Sequence, residues 1–218
     1  MTQPSRMVQR AAALGLLARG FAYPVRAFQE ELARGSFRRE LLAALAALEA
    51  APRRGALVAE LGRALEEVEG GPAVLEGEYT YLFARTVASP PNETSYGADQ
   101  TFQRVRHLSD IAAFYAAFGF QVAQGLGELP DHVGVELEFL AVLYVKEAYA
   151  RRRGWGQRAQ VTADARQRFL KEHLGRWVPS FVQRLRAQAR LPFYPALAAV
   201  AESVLAQDPA YAQATPMV

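Results

Sequence analysis

"GELPDHVGVELEFLAVL", residues 127–143, sets five ionisable side chains, Glu128 and then Asp131, His132, Glu136 and Glu138, into a run that is otherwise almost wholly apolar. Pro130 suits the first turn of a helix and Asp131 suits its positive end, so a helix is predicted over 131–151. At the helical repeat of about 100° per residue, His132, Glu136, Phe139, Leu140, Leu143 and Glu147 share one sector. Val135, Glu138, Val142 and Tyr149 share another, and Val133, Leu137, Ala141, Tyr144 and Val145 fill most of the remainder. A helix apolar on nearly every side belongs in the middle of a bundle. Its charges gather in the first two turns, with Lys146 and Glu147 near the far end. Unpaired buried carboxylates cost several kcal/mol, so the N-terminal end is expected to emerge at a surface or cleft.

Working outward, helical spacing dominates and strand alternation is scarce. Helices are predicted over 5–22, 25–34, 36–50, 55–69, 73–88, 109–124, 131–151, 162–178, 179–190 and 194–206. In 73–88, Leu75, Tyr79, Leu82 and Phe83 form a single stripe; in 109–124, Ser109 is placed to cap and Ile111, Phe114, Tyr115, Phe118 and Val122 form the buried face. "EGGP" at 69–72, "GLGELP" at 125–130 and "LPFYP" at 191–195 supply the glycines and prolines that stop helices. The longest connection runs from Ala88 to Ser109 and begins "SPPNETSYGADQTF"; a loop of that length is often functional. The expected fold is all-α, a single-domain bundle of about ten helices over residues 1–208, with a frayed tail over 209–218.

Composition narrows the chemistry. The 218 residues are 51% hydrophobic and include no cysteine, which excludes disulfides, thiolate metal sites and cysteine nucleophiles. The net charge is +3, and every basic residue except Lys146 and Lys171 is arginine. Basic residues are spread along the chain apart from "RRRGWGQR" at 151–158, for which a solvated loop is the default, so no nucleic-acid partner is expected. No apolar stretch approaches the roughly 20 residues of a membrane span. Arg6 and Arg10 precede "AAALGLLA", but that run is short, interrupted by Gly15 and followed by Arg19, which reads as an amphipathic first helix of an unprocessed cytoplasmic protein.

An opening beside His132 could serve three ends. Metal binding would use His132 and Glu136, but two ligands are too few and no HExxH pattern exists. Acid–base chemistry by His132 with Asp131 or Glu136 lacks a nucleophile motif, a phosphate loop or a dinucleotide fingerprint, so no catalytic residue, metal or cofactor is assigned and the chain is read as a non-enzyme. The third is a receptor for a cationic, partly helical peptide, in which carboxylates meet arginines and apolar residues take a greasy segment. Beside these stands a purely structural role for each residue: Asp131 as a cap, His132 as a hydrogen-bonded core histidine, the 75–83 stripe as core. Spacing does not choose among them.

The stretch "LPDHVGVELEFLAVL" resembles the signature of the TorD/DmsD/NarJ family of redox-enzyme maturation chaperones, through Glu128, Pro130, Asp131, His132, Glu136, Leu137, Phe139 and Leu140. "EYTYLF" (Tyr79, Leu82, Phe83), "PPNETSYG" at 90–97 and "FLKEHLGRWVPSFVQRL" (Phe169, His173, Leu174, Trp177, Pro179, Phe181) are similar to three further family elements in the same order. Asn92 stands where the family often has an aromatic, and the Glu-Thr-x-Tyr form of the loop is similar to chaperones of the type II dimethyl sulfoxide reductase-like branch. The resemblance implies a cytoplasmic chaperone, monomer or homodimer, that binds the apo catalytic subunit of a molybdenum-cofactor oxidoreductase. Binding would be at a twin-arginine or related N-terminal signal peptide, held until cofactor insertion and before export or membrane assembly. It implies peptide contacts at Tyr79, Leu82 and Phe83, at Pro91 and Tyr96 of the loop, and at Asp131, His132 and Glu136 as the polar end, with His173 and Trp177 left to the core. A nucleic-acid-binding or general protein-interaction module is the alternative.

Overall fold

A helix without a wet face needs neighbours on all sides, and the chain supplies them as a succession of helices. The computed structural model describes residues 5–85, 89–96, 101–122 and 128–217. Within them the order is α1 (Arg6–Gly20), α2 (Arg26–Ala33), α3 (Ser36–Ala46), α4 (Arg54–Glu69) and α5 (Val74–Tyr79), which runs into a wide π-turn at Thr80–Arg85. A single 3₁₀ turn, Glu93–Ser95, precedes α6 (Thr101–Ala117), α7 (Val133–Arg152), α8 (Gly156–Phe169), α9 (Gly175–Gln188), α10 (Phe193–Leu205) and α11 (Pro209–Ala212). Among the described residues there is no strand, and the all-α class expected from the sequence is the class observed. The expected residues 86–88, Gly97 and 123–127 lie outside those described.

The central helix is α7. It packs chiefly on α1 and α8, while α10 closes the other side against α4 and α9. Leu137, Phe139, Leu140 and Leu143 are wholly buried, and Phe139 sits among the rings of Tyr115, Phe120 and Phe169 at 4.7–5.5 Å. Against this apolar background α7 carries one ionic knot. Glu147 accepts from Arg166 (2.9 Å) and Arg151 (2.7 Å), and Arg166 also pairs with Asp208, which takes the Tyr144 hydroxyl at 2.9 Å. Two lysine-free cation–carboxylate pairs thus satisfy a helix interior charge that would otherwise be costly to bury.

Several boundaries differ from the spacing, and three of the differences have a clear physical reason. Helix α6 begins at Thr101, so Ser109 lies inside it and its hydroxyl donates to the Val105 carbonyl (2.9 Å) instead of capping. The two helices expected to meet at 178/179 are one rod from Gly156 to Gln188, carrying a π-turn at Leu170–Leu174 and Pro179 within α9. The wide turn shifts the hydrogen-bond register just ahead of the proline, whose missing N–H would otherwise break the helix. The residues after Asp208 were expected to fray. Instead Asp208 caps α11 by accepting from Ala210 N (3.1 Å), and the chain continues to a buried Met217 whose N–H donates to the Arg176 carbonyl at 2.7 Å.

Candidate functional site: a loop clasped to the start of the central helix

Helix α7 starts at Val133, and its N-cap is His132 rather than Asp131. The His132 Nδ1 accepts the Gly134 N–H at 3.0 Å, which fixes the neutral tautomer with the proton on Nε2. Burial pushes this imidazole down to about 4, the adjacent Asp131 charge opposing only weakly. Gly134 keeps this approach close: a Cβ would lie 3.0 Å from the Ala18 carbonyl of α1 and 3.2 Å from His132 Nδ1, so a neighbour would have to give by a few tenths of an ångström.

The segment 89–96 lies across this helix start. Val133 N donates to the Pro91 carbonyl (2.7 Å), Glu93 N donates to the Asp131 carbonyl (3.0 Å), and Asn92 and His132 form a single antiparallel bridge. Asp131 holds the loop from beneath: one carboxylate oxygen accepts the Thr94 N–H (3.1 Å) and hydroxyl (2.6 Å), the other the Asn92 amide (3.1 Å). Tyr96 closes the far end, donating to the Pro90 carbonyl at 2.9 Å and packing on Trp177 at 5.3 Å.

Next to Asp131 lies a second buried acidic pair. Trp177 Nε1 donates to Glu136 (3.1 Å), and His173 Nδ1 is 2.9 Å from Glu93. Burial first, then the neighbouring Glu93 carboxylate, raises the Glu136 carboxyl well above the ordinary range. A proton retained on Glu136 supplies a donor between two carboxyls that each have one oxygen without another protein partner.

The eight residues expected at the site are therefore drawn into one neighbourhood, but not onto one surface. Tyr79 and Phe83 stack edge to face at 4.9 Å, and Phe83 connects through Phe181 (6.3 Å) to Tyr96 (6.4 Å) and Trp177 (5.3 Å). Leu82, Asp131 and Glu136 are 0% exposed and His132 is 3% exposed, while Pro91 and Tyr96 are buried. The acids thought to line an opening instead hold its floor, because the loop supplies them with donors. His173 and Trp177, assigned to the core, are buried and bonded to those acids.

What reaches solvent here is Phe83, expected from the sequence, together with Tyr23, which was not. Tyr23, 43% exposed, lies edge-on to Tyr79 at 5.2 Å, and Phe83 is half-buried beside Tyr194 at 5.0 Å. Glu128, half-buried, lies beside the Tyr23 backbone; burial raises its carboxyl and the charge of exposed Glu138 adds to the effect. Glu128 carried a signal, as the first residue of the Pro-Asp-His element; Tyr23 carried none.

An all-helical chain built round a central helix, with a proline-led loop clasped to that helix's start, is what the fold and site define. The sequence profile described as nitrate reductase delta subunit matches residues 40–183, and the chain belongs to that family. It is similar to the chlorate reductase assembly chaperone protein of Ideonella dechloratans, 36% identical over 119 residues, which cover 54% of this chain and 60% of the relative. It is similar to the selenate reductase assembly chaperone protein of Thauera selenatis, 38% identical over 98 residues, 44% of this chain and 50% of the relative. With the chaperone protein TorD of Vibrio cholerae serotype O1 the identity is 27% over 154 residues, 70% of this chain and 68% of the relative. The matches thus span half to three fifths of the first two relatives.

Proposed function

We propose that this protein is a cytoplasmic assembly chaperone that holds the apo catalytic subunit of a molybdopterin-dependent oxidoreductase, at a twin-arginine or related N-terminal peptide, until its cofactor is inserted. Membership of the family and likeness to assembly chaperones for chlorate and selenate reductases support the reading. The observation that carries it is the exposed ring of Tyr23 and the half-buried ring of Phe83, backed by the buried ring of Tyr79 and lying beside Glu128 and Glu138, an apolar face with an anionic margin. A signal peptide offers arginines followed by an apolar run, the complementary order. In this arrangement Asp131, His132 and Glu136, with Leu82, Pro91 and Tyr96, act by holding the loop and the ring surface in place rather than by touching the arginines.

Each exposed arginine–carboxylate pair adds only about 0–1 kcal/mol, so apolar burial must supply most of the affinity. Micromolar binding, about −8 kcal/mol, suits a client that is later released. Calorimetry with a synthetic peptide bearing two adjacent arginines and an apolar run tests this. Tyr23→Ala is expected to weaken binding more than Glu128→Gln. No heat from the peptide, together with no co-purification with a co-expressed apo molybdopterin enzyme, refutes the reading.

A further inference from the structure

The arginine-rich stretch 151–158 has no part in the site above, and it is not a plain solvated loop. Gly154, with φ +70°, turns the chain between α7 and α8 in the left-handed region that favours glycine. The turn sets Trp155, 37% exposed, against Tyr149 (5.6 Å), with the Arg158 and Arg153 guanidiniums 4.6 and 5.4 Å from the Trp155 ring. These side chains border a groove of about 780 Å³ between α7, α8 and the end of α6, with Phe118, Val145 and Val161 along its wall. Val145, Tyr149 and Val161 are each about half exposed, an unusual grouping for large apolar residues on one surface. Among the described residues lining it, the charged side chains are Lys146 and Arg158, and none is acidic.

We propose that this groove is a second protein-docking surface, whose occupant is an amphipathic helical segment with an apolar stripe flanked by carboxylates. Charge complementarity selects the occupant: Lys146 and Arg158 line the groove, Arg153 lies over the Trp155 ring at its border, and Lys146 has no ion-pair partner among the described residues. A concave wall suits a helix laid into it. A bilayer needs protruding apolar side chains, whereas here they line a concave groove. The Arg153 and Arg158 guanidiniums occupy the ring that a nucleotide base would need as a stacking platform. The surface is independent of the ring face near Tyr23.

The test uses the full chain and a fluorescein-labelled 18-residue peptide with leucines on one face and glutamates on its flanks. Its controls are the same peptide with lysines for glutamates, phosphatidylglycerol vesicles and a single-stranded 20-mer of DNA. Anisotropy is expected to show binding of the glutamate peptide and at least about tenfold weaker binding to Arg158→Glu and to Val161→Asp, both surface changes that leave the far-UV circular dichroism unaltered. The twin-arginine peptide is expected to bind both variants as it binds the parent, which separates this surface from the one under Proposed function. Equal binding of the glutamate and lysine peptides, undiminished binding by both variants, or vesicles or DNA binding as tightly as the glutamate peptide overturns the proposal.

Discussion

Replacing Asp131 by alanine removes the side-chain hydrogen bonds that hold Asn92 and Thr94 of segment 89–96 at the start of α7. Asp131 is fully buried and accepts three hydrogen bonds, two from Thr94 and one from Asn92. Hydrogen bonds to a charged group are worth roughly 1.5–3 kcal/mol each, but the Thr94 hydroxyl and Asn92 amide can turn toward other partners. The Thr94 N–H cannot, so the loss is about 3–5 kcal/mol, a large share of a typical domain's 5–15 kcal/mol. With a urea slope near 3 kcal/mol/M, the unfolding midpoint falls by about 1–1.7 M. Asp131→Asn is milder. Its remaining oxygen can face Thr94, and a flip of the Asn92 amide can present an oxygen to the new NH₂, so about 1–2 kcal/mol is expected. Urea titration by circular dichroism reads the global term, and amide exchange at Glu93, Thr94 and Val133 reads the loop. An alanine variant with the parental midpoint and unchanged Thr94 exchange refutes the assignment of Asp131 as the fastening group.

Two further outcomes follow from the same buried groups. The raised Glu136 carboxyl contributes stability that is complete below the ordinary carboxyl range and is lost as pH rises through its folded value, so Glu136→Gln is expected to gain on the parent as pH goes from 5 to 8. A stability difference that stays constant across that range, measured in urea at each pH, refutes it. His132, held near 4, works the other way: stability is present above about 6.5 and lost on acidification toward 4, on the order of 3 kcal/mol. His132→Asn keeps a cap acceptor and is expected to lose less stability than the parent between pH 7 and 4.5; equal acid sensitivity by thermal melting counts against the buried neutral imidazole.

The sequence made some of this legible and hid the rest for physical reasons. Helix α7 could be read because burial on every side leaves a run from Val133 to Tyr144 with few alternatives, and its start was placed within two residues by Pro130 and Asp131. Capping chemistry could not decide between adjacent Asp131 and His132, since both can accept an N–H at a helix start. The fate of the acids was hidden because their partners are remote: Thr94 lies 37 residues from Asp131, Trp177 lies 41 from Glu136, and His173 lies 80 from Glu93. A carboxylate beside a proline loop looks the same in sequence whether the loop covers it or leaves it open. The break expected at Pro179 failed because a π-turn, which has no residue signature of its own, accommodates the proline.

The clasp between segment 89–96 and α7 also governs how variants of this protein are to be interpreted. Groups sealed under a lid of their own chain have nothing to offer an arriving cation unless that lid is first lifted. On the proposed function, an Asp131 or Glu136 variant that stops recognising a client would therefore report a collapsed mounting, whereas one altered at Tyr23 or Glu128 would report the contact itself.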